Sequence, residues 1–333
     1  MFPEPSYPTP VRACPELGSA RAELWLKNDG LSHPVYGGNK VRKARALIDE
    51  ATRRNARRVL SFGAVGSHHL LTLALFARAA HLASAAVVIS QPRSEHAEAT
   101  LRAALGLGLQ TYPASHAALV PLLLARAWRT GDYLIPPGGS NALGARACAD
   151  AIDELMQQIE HGLLPMPDCI VVPLGSGGTC GGLAAGVVRR GLPCRVIGVQ
   201  VVAGFAPGAA ARSLAQGTLR RTGHAPLAPA LRTQLVFDAT QVGAGYGCQT
   251  IAGRHASEIA RTIGLELDQT YTAKAFASVL ELLNGSSPLA PKPVGRPLRV
   301  LYWHTLAATS LEPLLVDAPK AHEVPRALAK LLR

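Results

Sequence analysis

Three short segments of this 333-residue chain carry residue types and spacings suited to chemistry. The first is Gly37-Gly38-Asn39-Lys40. Lys40 is one of only seven lysines, and it stands where a turn of two glycines gives way to helical spacing. Desolvation there would lower its pKa and make the amine nucleophilic toward an aldehyde. The plainer reading is a surface lysine in a first helical turn.

The second is a strand–loop–helix pattern over Cys169–Arg190, with the loop Gly175-Ser176-Gly177-Gly178-Thr179. Glycines let a backbone approach a ligand closely, and the following helix offers N–H groups and the positive end of its dipole. Together these suit a phosphate. No Gly-Lys-Ser/Thr closes the loop, which excludes a P-loop. The next strand ends Gln200-Val201-Val202, without the acidic residue that would hold a dinucleotide's ribose. A lone phosphate suits the loop better, and a turn needed only for packing is the alternative.

The third is Gly66-Ser67-His68-His69, directly after a strand pattern. Loops after parallel strands are where α/β folds place ligands. Adjacent histidines suggest a metal, but neighbours on a helix point in different directions. No third ligand stands out, so no metal is expected.

These segments need a frame to hold them. Strand patterns at Glu23–Lys27, Arg58–Phe62, Ala85–Ser90, Tyr133–Ile135, Cys169–Leu174, Arg195–Val202, Leu235–Ala239 and Leu298–Trp303 alternate with helical ones. The helices are read at Lys40–Arg54, Ser67–Ala80, Glu95–Leu105, His116–Arg129, Asn141–His161, Gly178–Arg190, Thr250–Ile263 and Ala273–Leu283. Such alternation indicates βαβ units and parallel sheets. Residues 1–22 read as an extended arm and Ser286–Pro297 as a loop.

The length favours two domains, and 48% hydrophobic against 17% charged residues supports a sizeable core. The net charge is +12, but the arginines are dispersed, so small anions are better partners than nucleic acid. Six scattered cysteines without a CxxC pair suggest a cytoplasmic protein with reduced thiols. No apolar run reaches membrane-span length, so no membrane partner is expected.

Individually weak, the segments are specific in their order. In that order the chain resembles the fold-type II pyridoxal-phosphate (PLP) enzymes. The resemblance is to the branch of 1-aminocyclopropane-1-carboxylate (ACC) deaminase and D-cysteine desulfhydrase. The matching stretches are LWLKNDGL, GGNKVRKARALIDEA, LSFGAVGSHHLLTLALFA, IPPGGSNALGARACADAIDEL, VVPLGSGGTCGGLAAG, GAGYG, LDQTYTAKAFASVLELL and VLYWHT.

The resemblance implies a two-domain α/β fold, like the tryptophan synthase β subunit, with parallel-rich sheets flanked by helices. The larger domain would comprise residues 1–42 and 151–333 and the smaller 43–150, with PLP between them. Lys40 would carry PLP covalently and move protons. Gly175, Ser176, Gly177, Gly178 and Thr179 would bind its phosphate, with Lys43 a charge partner. Ser67, Tyr246 and Tyr271 match residues that meet substrate, and Thr305 the group at the pyridine nitrogen. His68 stands where the family has the asparagine that hydrogen-bonds the cofactor's phenolic oxygen. A second departure is His304-Thr305-Leu306-Ala307 in place of His-Thr-Gly-Gly.

A hydroxyl at Thr305 cannot hold the pyridine nitrogen protonated as a carboxylate does, which favours β-elimination over transamination. Thr272 replaces the glutamate that follows the second tyrosine in the deaminases. The expectation is therefore a PLP-dependent lyase or deaminase, a homodimer acting on a small amino acid. It would release ammonia and a 2-keto acid in the manner of D-cysteine desulfhydrase. The alternatives are ACC ring opening, a diverged PLP-binding protein, and a sugar or nucleotide enzyme using only the phosphate loop.

Overall fold

The computed structural model describes residues 2–203 and 206–333. In chain order it begins with β1 (Val11–Ala13), β2 (Ala22–Asn28), α1 (Lys40–Arg53), β3 (Arg58–Ala64) and α2 (His68–Ala79). Then come β4 (Ala83–Ile89), α3 (Glu95–Gly106), β5 (Gln110–Pro113), α4 (Val120–Ala127) and β6 (Asp132–Leu134). The helix α5 (Ala142–Glu160) leads to β7 (Cys169–Leu174), α6 (Gly178–Arg189), β8 (Arg195–Gln200) and α7 (Pro207–Arg221). The chain continues through α8 (Leu231–Gln234), β9 (Leu235–Asp238), α9 (Ile251–Thr262), α10 (Thr272–Asn284) and β10 (Leu298–His304). The short helices α11 (Glu312–Leu315) and α12 (Arg326–Ala329) follow.

The chain divides into two compact units. One holds Pro5–Asn39 and Asn141–Ala308; the other holds the residues up to Glu4, Lys40–Ser140 and Thr309–Arg333. This differs from the sequence-based division mainly at residues 40–42, 141–150 and 309–333. Asn141 caps α5 through Gly144, and α5 packs along α6, so residues 141–150 go with the larger unit. Residues 309–333 go with the smaller unit because their backbone pairs with Gln91 and Arg93 beyond β4.

The larger unit has a six-stranded sheet in the order β1-β2-β10-β7-β8-β9, antiparallel only at β1. Its apolar run CIVVPL is buried at every position of β7 because both faces of the sheet are covered. Ile170, Val172 and Leu174 join the core with α5, α6 and α7, while Cys169 and Val171 face α9 and α10. Trp303 and Tyr302 divide in the same way on β10. Close approach of α5 to α6 is possible because Gly182 and Gly186 have no side chain; a Cβ there would collide with the carbonyls of Ala145 and Ala149.

The smaller unit has a four-stranded, all-parallel sheet, β5-β4-β3-β6. Its edge at β6 is secured by Arg58, whose guanidinium donates to both carboxylate oxygens of Asp132 at 2.9 and 2.7 Å. The expected α/β class with parallel-rich sheets flanked by helices is borne out.

Candidate active site

In the larger unit, β7 and β10 are neighbours, so the segments leaving their carboxyl ends lie side by side. The first is Gly175-Ser176-Gly177. Gly177 takes φ +89° as the residue before α6 and, being glycine, brings no capping side chain to that helix start. A Cβ on it would lie 2.9 Å from the nitrogen of Ala211, and one on Gly175 would lie 3.0 Å from Cε1 of Tyr271. The glycines thus hold open a cradle that side chains would fill, at a helix start suited to an anion.

The second segment is Thr305, nearly buried at the end of β10. His304 beside it is buried, and among the described residues its Nδ1 has no hydrogen-bond partner. Burial depresses its pKa to about 4, against the opposing pull of Asp268 and Asp29, so it is neutral at pH 7.

Asn39 links the two segments. Its side-chain Nδ2 donates to Thr179 Oγ1 at 2.8 Å, and its backbone N–H donates to Thr305 O at 3.2 Å. Gly38 takes φ +98° with its Cα against the same carbonyl, where a Cβ would lie 2.9 Å away. Lys40 is the next residue in the chain. The sequence reading did not single out Asn39, because its partners are 140 and 266 positions away.

Tyr271 is the residue before α10 and Tyr246 sits in the glycine loop after β9, their rings 5.6 Å apart and edge to face. Burial raises both phenols, whose hydroxyls hydrogen-bond each other. Thr272 is fully buried, and its hydroxyl bonds the Asp268 carboxylate at 2.6 Å.

A polar network stands behind β2 and β10. Lys27, fully buried, donates to Thr9 O at 2.8 Å, to Gln158 Oε1 at 2.8 Å and to the Glu154 carboxylate. Asp29 accepts from Trp303 Nε1 at 2.8 Å, and its backbone carbonyl accepts from the Gly38 N–H. These bonds secure the turn leading to Asn39.

In the smaller unit, Lys40 is the first residue of α1, as the sequence pattern implied, and Lys43 follows one turn later, buried. Ser67 caps α2 by accepting from the His69 N–H at 3.2 Å. A hydroxyl that accepts a cap bond still has its own proton to donate.

The adjacent histidines go to different partners. The Ser61 hydroxyl donates to Ile135 O, so His69 must carry its proton on Nε2 to bond the same oxygen at 3.0 Å. Burial first, then the charges of Lys43 and Lys40, lower the His69 pKa to about 3, leaving it neutral. His68 instead meets His96 of α3, Nε2 to Nε2, at 3.1 Å. No sequence signal connected His68 with His96.

A lysine opening a helix after a glycine turn, a glycine cradle at a second helix start, and a hydroxyl at a strand end fit PLP. Comparison with known proteins decides the matter. The family model described as pyridoxal-phosphate dependent enzyme matches residues 4–294. The chain belongs to this family. PLP is accordingly its cofactor, and the expected kinship with the ACC deaminase and D-cysteine desulfhydrase branch is borne out.

The PLP enzyme is 30% identical over 318 residues to nocardicin C-9′ epimerase of Nocardia uniformis subsp. tsuyamanensis, covering 90% of this chain and 91% of that one. It is also 30% identical over 299 residues to D-cysteine desulfhydrase of Salmonella typhi, covering 82% and 85%. Among solved structures it resembles an ACC deaminase homologue in fold, with a TM-score of 0.73 at 24% identity over 95% of this chain and 96% of that one. A fungal L-serine ammonia-lyase from Rhizomucor miehei has a TM-score of 0.65 at 17% identity over 92% and 96%.

Proposed function

We propose that this enzyme eliminates a β-substituent from a small amino acid, such as cysteine or a β-substituted alanine. The products would be ammonia, a 2-keto acid and the leaving group. The observation that carries the reading is the fastening of Asn39 to both Thr179 and Thr305, immediately before Lys40. It supports one cofactor served by all three: Lys40 covalently, the Gly175–Thr179 loop at the phosphate, and Thr305 at the pyridine nitrogen. PLP so held would withdraw electrons from the α-carbon of the substrate.

The protein's own groups supply the rest. The Lys40 amine takes and returns protons. Backbone N–H groups of Gly177 and Gly178 and the Thr179 hydroxyl would hold the cofactor's phosphate, with Lys43 as a charge partner. The Ser67 hydroxyl offers its proton to the substrate carboxylate. His68 would donate to the cofactor's phenolic oxygen. Tyr246 and Tyr271 face the substrate. Because Thr305 is a hydroxyl and not a carboxylate, it would not hold the cofactor's pyridine nitrogen charged. That favours a reaction whose leaving group carries the electron pair away. The Thr272 hydroxyl is committed to Asp268 and leaves no carboxylate after Tyr271, which argues against ring opening.

The named D-cysteine desulfhydrase relatives support the same reading. The relative named as an epimerase favours a second one, return of the α-proton to the opposite face. All six cysteines are free thiols, consistent with action in the cytoplasm, and no described helix is long and apolar enough to cross a membrane. Assembly as a homodimer rests on the family resemblance.

The deciding experiment offers D- and L-cysteine, β-chloroalanine and ACC, and follows keto acid, ammonia and α-deuterium uptake from heavy water. Keto acid from a β-substituted substrate supports elimination. Deuterium uptake with inverted configuration and no keto acid supports epimerisation. Efficient ACC opening without elimination overturns both.

A further inference from the structure

Lys274 lies one helical turn beyond Tyr271 on α10, and its side chain is entirely buried. It has no carboxylate partner among the described residues. Its ammonium donates to Val242 O at 2.8 Å and to Gly245 O at 2.9 Å. A buried charge is costly, so an apolar side chain would suit a packing role better. The carbonyls it holds are the ones that close the turns of their own loop. Val242 O also accepts from the Gly245 N–H at 3.2 Å, and Gly245 O from the Cys248 N–H at 3.3 Å.

That loop has little stiffness of its own. Gly243, Gly245 and Gly247 all take positive φ, at 59°, 115° and 78°. Glycines loosen a chain wherever nothing else fixes it. One further tie runs from the same loop to the same helix, where Gln241 Nε2 donates to Glu281 Oε1 at 2.7 Å. Between Gly245 and Gly247 stands Tyr246, whose ring meets that of Tyr271 at the start of α10.

We propose that Lys274 is a positioning residue for the reaction: it binds the 242–248 loop to α10 and so sets Tyr246 against Tyr271. The inference rests on the reading of Tyr246 as a substrate-facing group. It adds the element that keeps that group in place.

The test uses the PLP-loaded full chain with Lys274→Met, which keeps the length but loses charge and donors, and Lys274→Arg, which keeps both. If Lys274→Met does not accumulate folded, Lys274→Gln takes its place. Amide exchange at 243–248 should quicken by about tenfold or more in Lys274→Met and little in Lys274→Arg, with PLP affinity unchanged. Lost charged hydrogen bonds correspond to kcat/KM for D-cysteine falling on the order of 10- to 100-fold. Adding Tyr246→Phe should cost little more. Unchanged amide exchange, or losses that multiply independently in the double variant, would overturn the inference. A fully active Tyr246→Phe would instead overturn the role of Tyr246 and leave the anchoring to be judged by exchange alone.

Discussion

Replacing Asn39 by alanine should loosen the grip on PLP without unfolding the protein. The side chain is 5% exposed and its acceptor Thr179 is 6% exposed, so the 2.8 Å bond between them exchanges little with water. A neutral buried hydrogen bond contributes about 1 kcal/mol net, and a stranded hydroxyl costs about 1–3 kcal/mol. The Thr179 hydroxyl can rotate, which keeps the total near the lower end. The backbone bond from Asn39 to Thr305 O survives the substitution and limits the movement of the turn. A loss of about 1–2 kcal/mol corresponds to a rise in the PLP dissociation constant of roughly 5- to 30-fold. Titrating the apoenzyme with PLP, followed by visible absorbance, measures it directly. Thermal melting of the apo form separates cofactor affinity from fold stability. An Asn39→Ala protein with unchanged PLP affinity would refute the argument that this bond braces the phosphate loop.

Gly177→Ala should be worse than the usual glycine replacement: a left-handed backbone costs alanine about 1–2 kcal/mol, and its Cβ would press on the backbone of Ala211. A lower melting temperature and weaker PLP binding are expected, and a melt matching wild type would contradict this. Acid should weaken the smaller unit through Asp132. Burial pushes its carboxyl up, but the bidentate Arg58 hydrogen bonds, the Arg129 N–H and the charges of both arginines together outweigh this and hold it below the ordinary range. The contribution is therefore present above the unfolded value of about 4 and lost as pH falls through the folded one. Urea melts of wild type and Asp132→Asn should converge as pH drops from 5 to 3, and parallel curves would count against it. His68→Asn should keep PLP but shift its absorbance or the pH profile of that absorbance. An unchanged spectrum, pH profile and substrate range, beside a crippled Ser67→Ala, would assign His68 to packing with His96 and leave Ser67 alone at the site.

The parts of the fold legible in the sequence are those dictated by local pattern. The run CIVVPL could only be a strand covered on both faces, and Asn141 and Ser67 marked the starts of α5 and α2. The strand β1 is three residues long, and β5 ends in proline at a sheet edge, so neither carries an alternation long enough to read. The helix α7 was missed among small residues and arginines, although its burial follows from packing against α6. At the candidate site, Lys40 and the glycine loop stand out by residue type. Asn39, His96 and Lys274 do not, because an amide, an imidazole or a lysine acquires its part only from a partner distant in sequence. The C-terminal segment joined the smaller unit for the same reason: its pairing with Gln91 leaves no local mark.

The covalent role of Lys40 is tested most directly by Lys40→Ala. The wild-type protein should show the visible absorbance of lysine-bound PLP, and borohydride reduction followed by peptide mapping should place the label on Lys40. The variant should lose both the band and the label. A variant that keeps the band, with borohydride trapping PLP on another lysine, would contradict the assignment.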